Sequence, residues 1–181
     1  MSVYIDQLNE AVTTVRNTFM QLTEEQLNWK PLPEKWSIAQ CLDHLVNSDE
    51  AYYPVFEKII SGTHVPSLWT RISPFSTFFG NWLKKNSGAV VNKKIKNPKI
   101  FSPAYSRIDI VIVKRYIDHI ETMKSYVGKL TKMDTGKIKI ASPVSAFITY
   151  TLADTITLLA GHEIRHVTQA INIFNHPQFP K

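Results

Sequence analysis

Two histidines near the C-terminus provide the clearest chemical signal in the sequence. His162 and His166 stand four residues apart in the stretch His-Glu-Ile-Arg-His. Side chains at this spacing lie on the same face of an α-helix, so both imidazoles can bind one metal ion. A reactive site of this type needs a third nitrogen donor, and the best candidate is His44, more than a hundred residues upstream. The pattern predicts a three-histidine metal site.

The chemistry of such a site depends on the positions that the protein leaves open on the metal. Three neutral imidazoles suit Zn²⁺, Ni²⁺ or Fe²⁺ and leave room for water or a substrate. The metal would lower the pKa of bound water or hold a thiol as thiolate, and would so provide a nucleophile near neutral pH. The alternative is that these histidines are hydrogen-bonded core residues without a metal, as a histidine on an apolar helix face usually is.

The same stretch also matches the H-E-x-x-H pattern of zinc proteases, in which the glutamate is the general base. The longer metzincin pattern would need Gly and His where this chain has Gln169 and Asn172, and no acidic residue follows Glu163. A third protease ligand is therefore missing, and a protease is not favoured. Glu163 is turned about 100° from His162 around the helix, which leaves it either behind the ligands or on the surface.

Five residues are candidates for a substrate pocket. They are Cys41, Ser48, Tyr52, Trp82 and Gln169. The first three share a helical face with His44, and Gln169 shares one with His162 and His166. Free cysteine is commonly a small buried hydrophobe, so the pattern favours an inert Cys41. We also expect His119, on the apolar stripe of a later helix, to be a hydrogen-bonded core residue rather than a ligand.

Hydrophobic spacing predicts an all-α chain. Apolar residues recur every three or four positions in four long segments, which we predict as helices at about residues 3–22, 37–60, 105–129 and 154–174. Ser37 and Gln40 form a capping box at the start of the second helix. The fourth helix can begin at Pro143 or at Thr151, which opens a second capping pattern.

Four helices with one long connection predict an antiparallel four-helix bundle, in which metal sites are built from side chains on facing helices. The connection is a crossover insert between helices 2 and 3, at about residues 62–103, with at most a short helix near 74–85. With 181 residues and 44% hydrophobic content, the chain fits a single domain spanning residues 1–181.

The positive charge of the chain is concentrated around this insert. The formal net charge is +6, yet no acidic residue occurs between Glu57 and Asp109, where nine of the 21 Lys and Arg residues lie. An aromatic cluster that includes Trp82 precedes the lysines. The insert is either a solvated loop whose aromatics pack on the bundle, or a lid whose lysines attract an anionic thiol or another acidic small molecule. Nucleic acid is not favoured, because the lysines form no recognisable reading motif.

Cysteine content and hydropathy bear on the location of the protein. A single cysteine excludes an internal disulfide, which agrees with a reducing compartment. No apolar run approaches the roughly 18 residues of a membrane helix, and the N-terminal residues lack the basic start and apolar core of a secretion signal. We therefore expect a cytoplasmic protein without a membrane partner.

Taken together, these motifs resemble the DinB-like four-helix-bundle superfamily, which includes metal-dependent bacillithiol S-transferases. The resemblance rests on Trp-Ser-Ile-Ala-Gln-Cys-Leu-Asp-His-Leu at residues 36–45, on Ser48 and Tyr52, and on His-Glu-Ile-Arg-His-Val-Thr-Gln at residues 162–169. It covers nearly the whole chain in helix order. The resemblance implies that His44, His162 and His166 bind a divalent metal, and that homodimers are common.

The functional interpretation has two branches. The leading one is a divalent-metal-dependent enzyme, a thiol S-transferase or a hydrolase, with an anionic low-molecular-weight thiol as partner and the aromatic insert as an apolar wall. The alternative is a non-catalytic metal-binding or dimerisation module. The superfamily includes thiol transferases, isomerases and proteins with no known reaction, so the resemblance selects no substrate.

Overall fold

The computed structural model describes residues 2–73 and 106–181. In chain order their elements are α1 (Ser2–Phe19), α2 (Glu24–Asn28), α3 (Ile38–Glu50), α4 (Tyr53–Ile60), α5 (Leu68–Ile72), α6 (Ile112–Leu130), β1 (Lys139–Ser142), β2 (Ser145–Thr151) and α7 (Leu152–Phe174). The described part of the chain is mostly helical, as predicted. The prediction of an all-α chain was nevertheless wrong in one respect, because a two-stranded sheet precedes the last helix.

The core is formed by the four longest helices. α1 and α3 each pack against both α6 and α7. Each helix contributes one apolar stripe, such as Leu8, Val15 and Phe19 on α1 or Tyr116 and Met123 on α6, all of which are buried. The contact between α3 and α7 brings together the two helices that carry the candidate ligands. The antiparallel order of the predicted bundle stays a prediction.

The predicted second helix is divided in two. The Ser37 and Gln40 capping box is confirmed, with each backbone N–H bound to the other residue's side chain at 3.2 Å. The helix then ends at Glu50, and α4 starts at Tyr53. Pro54 explains the break, because proline has no N–H to donate and its ring clashes with the carbonyl one turn earlier. The pairing of Tyr52 N–H with Asp49 C=O at 2.9 Å closes α3 with a tighter turn.

The sheet is a hairpin that leads directly into α7. β1 and β2 pair antiparallel with a register irregularity at Ala141/Ser142, and only Pro143 and Val144 separate them. The helix then begins at Leu152, with Thr151 accepting from the Asp154 N–H at 3.1 Å. Of the two predicted starts for this helix, Thr151 is confirmed and Pro143 was wrong, because residues 139–151 are used for strand pairing.

The predicted insert lies mostly outside the described residues. This applies to the short helix predicted near 74–85, to Trp82 and to most of the lysines. The described part contains α5, where Trp69 Nε1 donates to the Phe147 carbonyl of β2 at 3.1 Å. At the far end of the segment, Arg107 pairs with Glu24 at 2.5 Å. None of the helices in the described ranges combines the length and the apolarity needed to cross a membrane.

Removal of the cap on α7 should destabilise the fold. The Thr151→Ala substitution leaves the Asp154 N–H without its side-chain acceptor, so we expect a loss of about 1 kcal/mol in the free energy of unfolding. Urea unfolding followed by circular dichroism measures this loss. The matched control is Thr122→Ala on the exposed face of α6, where a change below about 0.5 kcal/mol is expected. Equal effects of the two substitutions would contradict the assigned cap.

Candidate metal centre

The three predicted histidine ligands converge between α3 and α7. His44 lies in the middle of α3, and His162 and His166 lie one turn apart on α7. Their ring centroids are 4.6 to 4.9 Å apart. One ring nitrogen from each residue can be chosen so that all three lie within 4.8 Å of one another, as ligands of a single ion would. The structure thus assembles a candidate three-histidine site.

The distance between two of the nitrogens fits a shared metal ion. His44 Nε2 and His162 Nε2 are 3.0 Å apart. Two nitrogens bonded at about 2.1 Å to one ion are separated by about 3.0 to 3.4 Å for bond angles between 90° and 109°. The pair therefore already has the spacing of two ligands. In a metal-free chain the same contact would be a hydrogen bond between one protonated and one unprotonated nitrogen.

The third histidine is kept neutral by its surroundings. Burial, together with the neighbouring His162 and His44, lowers the pKa of His166 to about 2. A neutral imidazole is the form that binds metal, because the ligating nitrogen needs its lone pair. His166 is therefore ready to bind a cation near neutral pH without first losing a proton.

Residues on the same helices orient two of the ligands. The Nδ1 of His166 donates to Gln169 Oε1 at 3.1 Å, which leaves its Nε2 unprotonated and available to a metal. Ser48 Oγ lies 3.3 Å from the Nδ1 of His44. Each partner is three or four residues from its histidine, the spacing at which helical side chains meet. Ser48 and Gln169, predicted as pocket residues, thus contact the candidate metal ligands themselves.

An aromatic wall closes one side of the site. The Trp36 ring lies 4.9 Å from His44 and stacks on His166 at 5.6 Å. His44 and His166 are buried, whereas the His162 side chain is 22% exposed. Solvent therefore reaches the three histidines from the side of His162.

The other predicted pocket residues have different environments. Cys41 is fully buried, and burial raises the pKa of its thiol, so it stays protonated. This agrees with the inert interpretation and removes it as a nucleophile. Tyr52 is also buried, and its hydroxyl lies 2.6 Å from that of Tyr150 on β2. Trp82 lies outside the described residues.

Two buried acids lie behind the candidate ligands, and one of them, Asp49, was not identified from the sequence. Asp49 and Glu163 are both 0% exposed. Asp49 Oδ1 lies 3.9 Å from the Nδ1 of His162, and Tyr116 donates to Glu163 Oε2 at 2.5 Å. Of the two positions left open for Glu163, the one behind the ligands is correct. The burial of Asp49 has a signal in the sequence, because it stands three and four residues after Val46 and Leu45 on the apolar face of α3. Asp43 and Glu50, which are not buried, are spaced with the exposed Asn47 on another face of the helix.

His119, which we predicted to be a core histidine, lies beside the two buried acids. His119 is buried on α6, its Nδ1 lies 2.8 Å from the Tyr53 hydroxyl, and its Nε2 lies 3.4 Å from Asp49 Oδ2. Both ring nitrogens therefore have neighbours, as expected for a core histidine. Asp49 lies near both His119 and His162, and so connects His119 to the candidate metal centre.

The two acids differ in their ionisation. Burial alone would raise the pKa of Asp49, but the imidazoles of His119 and His162 outweigh it and lower this pKa to about 2. Burial and the adjacent Asp49 carboxylate raise the pKa of Glu163 well above its ordinary value. Two adjacent carboxyl groups that are both buried resist being ionised at the same time, because the like charges repel and neither is solvated. In the metal-free chain Asp49 is the ionised acid and Glu163 the protonated one.

This pair predicts a specific pH dependence of stability. Folded Glu163 keeps a proton that the unfolded chain releases above about pH 4.5, so the folded state binds more protons and loses stability as pH rises. For the metal-free protein in chelator we expect a decline of at most about 1.4 kcal/mol per pH unit from pH 7 to 8. Below this range the lowered pKa of His166 contributes a slope of opposite sign, because the unfolded chain there binds a proton that folded His166 does not. Glu163→Gln, which mimics the protonated acid, should remove the contribution of Glu163.

Urea unfolding at several pH values checks the slope for the wild-type and variant proteins. The control is Glu121→Gln on the surface of α6, which should keep the wild-type slope because this side chain is exposed. If Glu163→Gln also kept that slope, Glu163 would be ionised in the folded protein.

Comparison with known proteins places this geometry in a family. The sequence pattern described as the DinB superfamily matches residues 7–170. The chain is also 26% identical over 162 residues to the uncharacterized protein YuaE of Bacillus subtilis (strain 168), covering 89% of this chain and 91% of that protein. No solved structure matches the chain significantly. A match over most of the chain, with three histidines joined at the contact of α3 and α7, shows that this protein belongs to the DinB superfamily.

Proposed function

We propose that this protein is a divalent-metal-dependent enzyme, a thiol S-transferase or a hydrolase, whose metal is bound by His44, His162 and His166. The observation that carries the proposal is the convergence of three imidazoles at a site that remains open on the side of His162. Catalytic metal sites typically combine three protein ligands with an open position, whereas structural sites are closed by four.

The bound metal would supply a nucleophile, either water or a thiol with a lowered pKa. The residues of the chain have separate roles around it. Gln169 and Ser48 hold the imidazoles of His166 and His44 in position. Trp36 covers the ligands on one side and limits the approach of water there. Cys41 supplies no thiolate, so in a transferase the reacting sulfur comes from a separate thiol.

An anionic low-molecular-weight thiol is the proposed partner of the transferase. The net charge of +6 supports an acidic small molecule, because a basic protein concentrates anions near its surface. The Arg107 charge is not available for this, since Glu24 and Glu25 neutralise it. A homodimer and an antiparallel four-helix bundle complete the proposal and rest on membership of the superfamily.

Loss of any ligand should remove the metal of this site. We expect His44→Ala, His162→Ala and His166→Ala each to bind one ion fewer per chain than the wild type, measured by inductively coupled plasma mass spectrometry. Circular dichroism should show that helicity is kept, because an open site is not the only support of the fold. The matched control His176→Ala, beyond the end of α7, should keep the wild-type metal content.

The reaction class follows from a second assay on the metal-loaded protein. A transferase consumes an electrophile only when a thiol is present, whereas a hydrolase cleaves an ester without one. In either case the three alanine variants should fall to the rate of the metal-free protein. The proposal fails if the wild type binds no ion after reconstitution with Zn²⁺, Ni²⁺ and Fe²⁺, or if the alanine variants keep full turnover.

The residue that orients His166 should tune metal affinity. Gln169→Leu removes the acceptor of the Nδ1 proton, so we expect the affinity for Zn²⁺ to fall about 10-fold while the helical content is unchanged. Competition with a chromophoric chelator measures the change. Asn172→Leu, on the exposed face of the same helix, is the control and should bind as the wild type does. Equal affinities of all three proteins would show that the hydrogen bond has no role in binding.

A further inference from the structure

A second group of metal-binding side chains lies beside the three histidines. Asp49, His119 and Glu163 come from α3, α6 and α7, and one ligand atom from each lies within 4.8 Å of the others. All three residues are buried. None of them is a ligand of the three-histidine site. The two groups are adjacent, since Asp49 Oδ1 lies 3.9 Å from His162 Nδ1.

Tyrosine hydroxyl groups contact two members of this group, and two carboxylate oxygens in it have no hydrogen-bond partner among the described residues. Tyr116 donates to Glu163 Oε2 at 2.5 Å, and the Tyr53 hydroxyl lies 2.8 Å from His119 Nδ1. Within the described ranges, the remaining oxygens, Asp49 Oδ1 and Glu163 Oε1, are buried without a hydrogen-bond partner. A buried oxygen without a hydrogen-bond partner destabilises the fold, and a charged one does so more strongly. Two such atoms in one cluster indicate a missing ligand.

The geometry points to a cation as that ligand, and we propose that Asp49, His119 and Glu163 bind a second divalent metal ion next to the three-histidine centre. Two carboxylates and one neutral imidazole balance the charge of a divalent cation. One nitrogen and two oxygens suit Mn²⁺, Fe²⁺ or Zn²⁺, whereas Cu(I) prefers sulfur ligands. The tyrosines serve as the outer hydrogen-bond partners that metal ligands usually have.

The size of the cluster is compatible with a single ion. Its three ligand atoms lie within 4.8 Å of one another, and ligand atoms on opposite sides of one ion lie about 4.2 Å apart at bond lengths of about 2.1 Å. A surface cavity of about 520 Å³ reaches His119 and Tyr53 between α3, α4 and α6, and so provides a route of entry.

The two buried oxygens without hydrogen-bond partners have a rival explanation, a proton shared between the two acids. A protonated Glu163 can donate to the Asp49 carboxylate, which would pair Glu163 Oε1 with Asp49 Oδ1 without a metal. The two explanations differ in metal content. A shared proton leaves the chain with only the ion of the histidine site, whereas a second metal site adds one ion that depends on Asp49, His119 and Glu163.

The test counts ions per chain in the full-length protein after chelator treatment and reconstitution with Mn²⁺, Fe²⁺ or Zn²⁺ alone. For at least one of these metals we expect about two ions in the wild type. Glu163→Gln and His119→Gln should each lose one ion and keep the one that depends on His44. Conversely, His44→Ala should keep the ion of the second cluster. Glu121→Gln, on the surface of α6, should bind as the wild type does.

Glu163→Gln has nearly the shape of the native residue and can still accept from Tyr116, so it tests charge and coordination rather than packing. Circular dichroism verifies that each variant is folded. The proposal is overturned if the wild type holds one ion that disappears in His44→Ala and persists in Glu163→Gln, which would establish the shared proton. It is also overturned if a single ion disappears in both variants. An ion that persists in His44→Ala and disappears in Glu163→Gln supports the second site even if the proposed function fails.

Discussion

The burial of two acidic side chains among α3, α6 and α7 is the constraint on which the rest of the structure depends. Asp49 and Glu163 are both inaccessible to water. Burying an acid is unfavourable unless other groups bind it or neutralise it. Here Tyr116, His119 and His162 surround the pair, and they come from two different helices. The helices can therefore pack only where these polar groups meet, and this same packing places His162 beside His44.

The acid cluster and the histidine centre form one electrostatic unit. Asp49 stands between them, 3.4 Å from the Nε2 of His119 and 3.9 Å from the Nδ1 of His162. A carboxylate near the distal nitrogen of a ligating imidazole makes that imidazole a stronger donor to the metal. The negative charge of Asp49 also favours a cation at the histidine site, with little screening because the surroundings are buried. Polar groups in this core thus tune the centre rather than only supporting the helices.

Sequence reasoning succeeded where the signal was local. The i, i+4 spacing of His162 and His166, and the capping patterns at Ser37 and Thr151, are properties of single helices, and each is found in the structure. The division of the second predicted helix was also within reach, because Pro54 marks it.

Other features depended on partners far away in the sequence. The hairpin was missed because a short run such as Phe147 to Thr151 fits either a strand or the start of a helix, and only its β-branched and aromatic residues favour the strand. The burial of Asp49 depends on side chains from α6 and α7, about 70 and 113 residues away. The spacing within α3 does place Asp49 on the apolar face with Leu45 and Val46, but it does not show which distant groups neutralise the acid there.

The contact between His44 and His162 joins positions 118 residues apart in the chain. An ion bound by both would be a reversible cross-link that closes a long loop, and it would bind the folded chain far better than the unfolded one. Such an ion raises the free energy of unfolding by about 2.7 kcal/mol when its free concentration is 100 times its dissociation constant. The supply of metal in the cell would then set how much of this protein survives proteolysis, whatever reaction the centre performs.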